Sequence, residues 1–457
     1  MSLGIAAFMP LQREQYSIAP DILRCSRAGE QGSDINTALP PSLAHQKIWA
    51  RERRGGRAAS LSLACLALHA SVSVPPLMTP AEATLDRPRR RGPLLQESGL
   101  VLVIVVLGGL LTFFGGKVKL PLFETNAQGE RQRVFRVNSA GEREPVLVEK
   151  NKFFNAQNLA QLAKDASFFA IMAVGATFVI ISGGIDLSVG AMYALASVLA
   201  AMVFRLYGPD GPHAGAPAWL GVLAGLLTCV GVAAFCGLLN GGMIVALKVH
   251  PFIITLGTMA IFRGIAFVLT EGQSIGGFPQ AFRDLVRREV GEGLSLVPLG
   301  VMVLVALLGG IYLSRMATGR RVYAIGGNEL ASRYSGIRVE WVKLSVYILS
   351  GLTAGIAALL SLGYYGGASS GDGQGYELNV IAAAVVGGAS LSGGKGSALG
   401  ALLGALVIQM ISSGIVILGI KQNYSQIIIG SVVILAVVLD QFNSWLAKRR
   451  LARWGTG

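Results

Sequence analysis

The sequence predicts an all-α, polytopic membrane protein with about ten transmembrane helices, some of them broken, and a short cytoplasmic helix between two spans. Three observations predict it. The 457 residues are 52% hydrophobic and only 14% charged, with a mean hydropathy of +0.57, whereas soluble chains are about 25% charged. The charges are also clustered: residues 161–457 hold 31 Asp, Glu, Lys and Arg, and residues 343–447 hold six. Finally, cutting at charges leaves uncharged stretches long enough to cross a hydrocarbon core, which takes about 20 apolar residues.

Taken in order, residues 1–77 fit no other part of the chain. Arg51, Arg53, Arg54 and Arg57 precede the mildly apolar 58–70, which imitates a signal peptide without its position or cleavage context. They are expected to be a disordered tail or sequence upstream of the true start. Met78 then opens a short cytoplasmic leader, 78–97. The transmembrane domain is expected over 98–443. Its uncharged stretches are 98–116, 166–185, 187–204, 211–247, 293–314, 344–371, 378–394, 396–420 and 422–439, with 249–270 interrupted only by Arg263. Of these, 378–394 is short, and 211–247 is long enough for a span plus a re-entrant piece. A basic cytoplasmic tail, 444–457, closes the chain.

Lys and Arg at span ends set orientation. Arg87, Arg89, Arg90 and Arg91 precede the first span, and Lys448, Arg449, Arg450 and Arg453 follow the last. Both termini are therefore expected in the cytoplasm. The count places the 315–343 loop there too, with Arg315, Arg320, Arg321, Arg333, Arg338 and Lys343 against Glu329 and Glu340. It places 117–152 outside, as a polar and mobile loop, although that loop carries eight Lys and Arg against five Glu.

The net charge of +14 does not point to nucleic acid, because the basic residues sit in short runs between apolar stretches. Cys25, Cys65, Cys229 and Cys236 form no CxxC or Cys/His cluster, so they read as packing thiols, with no disulfide and no metal. No HExxH pattern is present, and no catalytic residues are assigned. Lys395 stands in a glycine-rich run, but Gly396 follows it where a phosphate loop needs Ser or Thr. It reads as a positive-inside anchor.

Helices in lipid approach through small residues. GxxxG spacing occurs at Gly221/Gly225, Gly237/Gly241, Gly351/Gly355 and Gly400/Gly404, and is read as packing. Two segments 204 residues apart, Gly183-Gly184-Ile185-Asp186-Leu187-Ser188-Val189-Gly190 and Gly387-Gly388-Ala389-Ser390-Leu391-Ser392-Gly393-Gly394, agree at five of eight positions. Each interrupts apolar runs, and corresponding breaks in two halves point to a transport path. Candidate path residues are Gly183, Gly184, Asp186, Ser188, Gly190, Gly387, Gly388, Gly393 and Gly394. The span count puts both breaks on the cytoplasmic side, implying a parallel repeat. An inverted repeat would make one segment re-entrant.

An ionisable group in the membrane is costly, so each is a candidate for function. Asp186 is favoured as a cap for a helix beginning near Leu187; direct substrate contact is the alternative. Arg263 reads as a span end snorkelling to the headgroups. Asp372 and Glu377 belong to a polar glycine loop expected to face outside, where Gly375, Tyr376 and Glu377 form either solvated loop or a partner surface.

In the inside loop, Gly326, Gly327 and Asn328 turn the chain, and 329–335 forms a short helix ended by Gly336. Such a surface helix is either a handle for another protein or an ordinary connection.

With these residues in view, the chain resembles the inner-membrane permeases of bacterial ABC importers for ribose, xylose, galactose and related sugars. The resemblance rests on Gly184–Gly190, Gly237-Leu238-Leu239-Asn240-Gly241, Pro251–Gly257, Tyr323–Gly336, Gly375-Tyr376-Glu377-Leu378, Gly387-Gly388 and Gly393-Gly394-Lys395-Gly396, in order across about 153–440. It implies a translocation subunit, not an enzyme, that moves a pentose, hexose or related small sugar across the inner membrane by alternating access. It implies no cofactor bound by this chain, with ATP in a partner subunit. The implied partners are cytoplasmic ABC ATPase subunits, a periplasmic sugar-binding protein, a second permease copy and membrane lipid, with no nucleic acid. Gly326, Gly327, Asn328, Glu329, Ala331, Ser335 and Gly336 would then form the coupling element seated in the ATPase, and the 364–378 loop would help receive cargo. Nothing is carried over to 1–77 or 117–152. The rival reading is a secondary transporter or channel driven by an ion gradient, which broken helices and Asp186 would also suit.

Overall fold

The computed structural model describes residues 93–125, 131–137, 141–290 and 293–454. The expected tail 1–77, with Cys25 and Cys65, and most of the leader lie outside the described residues. Helix α1 (Pro93–Phe114) is apolar on all sides and mostly exposed, as suits a helix facing lipid.

The 117–152 segment, expected as a mobile loop, instead forms antiparallel strand pairs. Strands β1 (Lys117–Pro121), β2 (Phe123–Thr125), β3 (Arg131–Arg133), β4 (Phe135–Val137), β5 (Arg143–Pro145) and β6 (Leu147–Asn151) pair as β1–β6, β2–β3 and β4–β5. The physical reason is alternation. Lys117-Val118-Lys119-Leu120 repeats polar and apolar residues with the strand period of two, and its partner lays Lys150 and Glu149 opposite Val118 and Lys119.

Helix α2 (Ala156–Ile181) starts at Asn155, whose side chain accepts from the Asn158 N–H, and it is almost entirely buried. The other helices surround it. After a break at 182–188 come α3 (Val189–Leu206), α4 (Ala218–Leu247), α5 (Pro251–Thr270), α6 (Gln280–Val286), the small pair β7 (Glu289–Val290) and β8 (Leu294–Ser295), and α7 (Leu296–Arg315). Then follow α8 (Ala317–Gly327), α9 (Glu329–Tyr334), α10 (Val339–Tyr365), α11 (Tyr376–Val386), α12 (Ala398–Ile417) and α13 (Ser425–Trp454).

Each of the ten expected uncharged stretches carries one of these helices. Among the described residues, eight are long and apolar enough to cross a membrane, and two apolar helices, Tyr376–Val386 and Gln422–Val438, are shorter. The stretch 211–247 carries no re-entrant helix; turns lead to Pro217, and one 30-residue helix follows. Helix α13 continues through the basic run, so the expected tail is helical as far as Trp454.

The glycine pairs mark close crossings. Gly237 of α4 lies against the Tyr347 carbonyl of α10, and Gly351 of α10 lies against the Ala233 carbonyl of α4. Gly225 fits the Phe204 ring, while Gly400 and Gly404 meet the carbonyls of Gly387 and Ala383. In lipid this backbone-to-backbone contact supplies van der Waals energy that hydrophobicity does not.

Candidate functional site: two helix breaks and the segment that touches both

The first break is Ser182 to Ser188. Gly183 turns it with φ +81°, and Gly184 passes beside the Tyr347 hydroxyl, where a side chain would not fit. Helix α3 begins two residues later than expected, with Ser188 at its N-cap position and no side-chain cap there. Asp186 supplies the acceptor instead. Its Oδ1 accepts from Ser188 N at 3.0 Å and Ser188 Oγ at 2.7 Å, and its Oδ2 accepts from Ser350 Oγ of α10 at 2.9 Å. Asp186 is 2% exposed, so these donors replace water around a buried carboxylate.

The surrounding helices complete the network. Asn240 of α4 donates Nδ2 to Ser188 Oγ at 2.7 Å, and Tyr347 of α10 and Thr255 of α5 each donate a hydroxyl to the Ile185 carbonyl at 3.3 Å. Three helices thus hold the break by hydrogen bonds. Gly190, in the first turn of α3, is pressed against the Gly373 carbonyl and Glu377 Oε2.

The second break runs from Gly387, where α11 ends, to Ser397, the N-cap of α12, whose side chain accepts from Gly400 N. Gly388, Gly393 and Gly394 all have positive φ, which glycine adopts without steric cost. Ser390 N donates to the Lys395 carbonyl at 3.1 Å, closing the loop on itself. Gly394 N donates to the carbonyl of Ile181, the last residue of α2, at 2.8 Å. The two breaks meet at one end of the bundle.

The 317–336 segment lies against this meeting point. Gly326 of α8 packs directly on the Ile181 carbonyl and the Gly394 N–H, with no room for a methyl group, whereas Gly327 has open space around it. Tyr323 donates its hydroxyl to the Gly396 carbonyl at 2.7 Å. Burial pushes this phenol above its ordinary range, so it stays protonated as the donor.

Helix α9 follows as expected. Asn328 caps it by accepting from Ala331 N at 2.9 Å, Ser335 Oγ donates to the Ala331 carbonyl at 2.9 Å, and Gly336 ends it at φ +79°. Two ion pairs tie α9 to α10: Glu329 to Lys343 at 2.7 Å and Arg333 to Glu340 at 2.7 Å.

At the opposite end, residues 366–375 fold back into the bundle rather than standing free. Arg263 is not at a span end. It lies well inside α5, and its Nη1 donates to the carbonyls of Ser370, at 2.8 Å, and Asp372. The reason is local: a glycine loop exposes carbonyls that lipid cannot satisfy, so a cation from a neighbouring helix does. Asp372 accepts from Ser369 N at 2.9 Å, and Glu377 Oε1 accepts from Gly375 N at 3.2 Å. Tyr376 stacks obliquely on Phe169 and Tyr193, at 4.7 and 5.5 Å between ring centroids.

Sequence reasoning missed several of these residues. Ser350 and Tyr347 sit in a long apolar stretch without a distinguishing neighbour, and only the fold brings them to Asp186. Lys164 was overlooked at the start of a span. It is buried in α2, 3.2 Å from Asp165 and 3.9 Å from the centre of the Tyr364 ring, and Tyr365 donates to Asp165 at 3.2 Å. Its signal was a charge at the edge of an otherwise uncharged run. Cys229 and Cys236 are free and buried in α4.

Residues 158–437, more than half of the chain, match the family described as the permease component of the branched-chain amino acid transport system. The chain is similar to the D-allose transport system permease protein of Escherichia coli K12, 37% identical over 64% of this chain and 86% of that one. It is 39% identical to the ribose import permease protein of Bacillus subtilis, over 65% of this chain and 89% of that one. The autoinducer 2 import system permease protein of Escherichia coli O9:H4 is 34% identical over 61% and 84%. No solved structure matches.

Proposed function

The chain belongs to that permease-component family, and from this membership we propose that it is the translocation subunit of an ABC importer for a small sugar, a pentose, a hexose or a related molecule. The relatives named for ribose, allose and autoinducer 2 support that cargo class. It is a multi-pass protein of the inner membrane, with both termini and the α8–α9 segment on the cytoplasmic face.

The observation that carries the mechanism is the contact of Gly326 with the second break and with Ile181, the last residue of α2, at the edge of the first break. Cytoplasmic ATPase subunits grip α8 and α9 as they bind and hydrolyse ATP. Displacement of α8 then reaches Ile181 and Gly394 through direct contact. Displacement of α9 reaches α10 through Glu329–Lys343 and Arg333–Glu340, and α10 holds the first break through Tyr347 and Ser350. Both breaks therefore feel one input, which is what alternating access between two packed states requires. The chain contributes no chemistry; it transmits motion and lines the path.

A periplasmic sugar-binding protein delivers cargo, and the 366–375 segment held by Arg263 closes the outer half of the bundle until the cycle opens it. A second permease copy completes the path. Two buried acceptors at the first turn of α3, Asn240 Oδ1 and Glu377 Oε2, have no hydrogen-bond donor among the described residues. Sugar hydroxyls would supply donors there, and an unmade buried hydrogen bond costs about 1–3 kcal/mol.

The test is uptake of labelled ribose, allose and galactose into vesicles holding the complete transporter. Uptake that requires both ATP and the binding protein supports the reading. Uptake under an ion gradient without ATP overturns it in favour of a secondary transporter.

A further inference from the structure

A groove reaches the second break from the lipid side. Helix α1 packs on α12, and α13 packs on α11 and α12. Between them runs a groove of about 960 Å³ lined by apolar side chains that include Val103, Leu110, Val407 and Leu435. At one end its lining is the break itself, through Gly388, Ala389 and Lys395.

The groove's length and charge fit one kind of occupant. Along α1 its wall runs from Leu100 to Leu110, which at 1.5 Å per residue is about 15 Å, or one leaflet of a hydrocarbon core about 30 Å thick. Among the described residues that line it, Lys395 is the cation; it is exposed and pairs with no acid among the described residues. The nearby carboxylate of Glu97 is engaged by Ser397 Oγ at 3.1 Å. A helix of a second copy would occupy the whole membrane thickness and would gain nothing from a lysine at one end. A phospholipid occupies one leaflet and places its phosphate where its chains stop. Basic pockets between membrane helices bind anionic headgroups on this principle.

We propose that this groove binds one anionic phospholipid, with an acyl chain between α1, α12 and α13 and its phosphate on Lys395. The lipid rests on the second break, so its occupancy favours the conformation in which Gly394 is bonded to Ile181.

The test is native mass spectrometry of the full-length protein in detergent, titrated with phosphatidylglycerol or with phosphatidylcholine of identical acyl chains. One phosphatidylglycerol should be retained about fivefold better than phosphatidylcholine, as expected for one interfacial lysine. Lys395→Gln should bring the ratio to about one, Lys395→Arg should preserve it, and inorganic phosphate should not displace the lipid. Ala436→Trp, which fills the groove, should lower retention of both lipids. Equal retention by the unaltered protein overturns the proposal, as does a preference that survives Lys395→Gln. So does an Ala436→Trp variant that loses dimer while keeping its lipid, because the groove would then be a contact between copies.

Discussion

The backbone N–H of Gly394 donates to the carbonyl of Ile181 at 2.8 Å, joining two helix breaks that lie far apart in the chain. Gly326 is packed against that same bond. A side chain at position 326 would need space that two backbones already fill, and no rotamer change relieves a backbone clash.

Gly326→Ala is therefore expected to part α8 from the two breaks. Overpacking costs about 1–3 kcal/mol, and loss of the contact should lower uptake per ATP hydrolysed by about tenfold, equivalent to about 1.4 kcal/mol. Gly327→Ala meets nothing within 4 Å in this chain and should leave the packing of α8 on Ile181 and Gly394 intact, so a loss of uptake there would come from the ATPase contact. Parallel uptake and ATPase measurements check this, and unchanged uptake by Gly326→Ala would remove Gly326 from the transmission path.

Asp186→Asn should keep much of the activity. An amide oxygen still accepts from Ser188, and its NH₂ can donate to the Ser350 hydroxyl. Asp186→Ala leaves Ser188 and Ser350 without their acceptor, at about 1–3 kcal/mol for each buried group, and should lower the melting temperature and uptake together. If Asp186→Asn abolished transport while folding normally, a proton-carrying role would replace the structural one.

The ion pairs between α9 and α10 predict uncoupling without unfolding. Glu329 and Lys343 are partly exposed, with 44% and 22% of their side chains accessible, so the pair contributes no more than about 1 kcal/mol to stability. Glu329→Lys should stimulate futile ATP hydrolysis while uptake falls. The double swap Glu329→Lys with Lys343→Glu should restore coupling in reconstituted vesicles. A swap that rescues nothing would assign Glu329 to the ATPase surface instead.

Arg263→Met removes the donor to the Ser370 and Asp372 carbonyls. Leaving them unsatisfied costs about 1–3 kcal/mol each, and amides of 368–375 should exchange with deuterium faster while those of α2 stay protected. Unchanged exchange in that segment would mean that Gly373 against Gly190 holds it alone.

Much of the architecture was legible because lipid imposes a simple rule. Charges are excluded from spans, so cutting the chain at charges located a helix in each of ten stretches. The turn at Gly326-Gly327-Asn328 and the stop at Gly336 were legible for a different reason: both depend on residues within one turn of the helix end. The strands of 117–152 were missed where charge was weighed and alternation was not. Arg263 was misread because a lone cation looks the same in sequence whether it reaches headgroups or carbonyls.

By itself the sequence determined what is local: the apolar runs, the glycine breaks, the short helix expected at 329–335 and the family pattern they compose. Only the tertiary structure decided that Ser350 and Tyr347 hold the first break, that Arg263 clasps the 366–375 segment, and that Gly326 touches Ile181 and Gly394. Those contacts join helices distant in sequence, and their partners are ordinary residues whose meaning depends on what packing sets beside them.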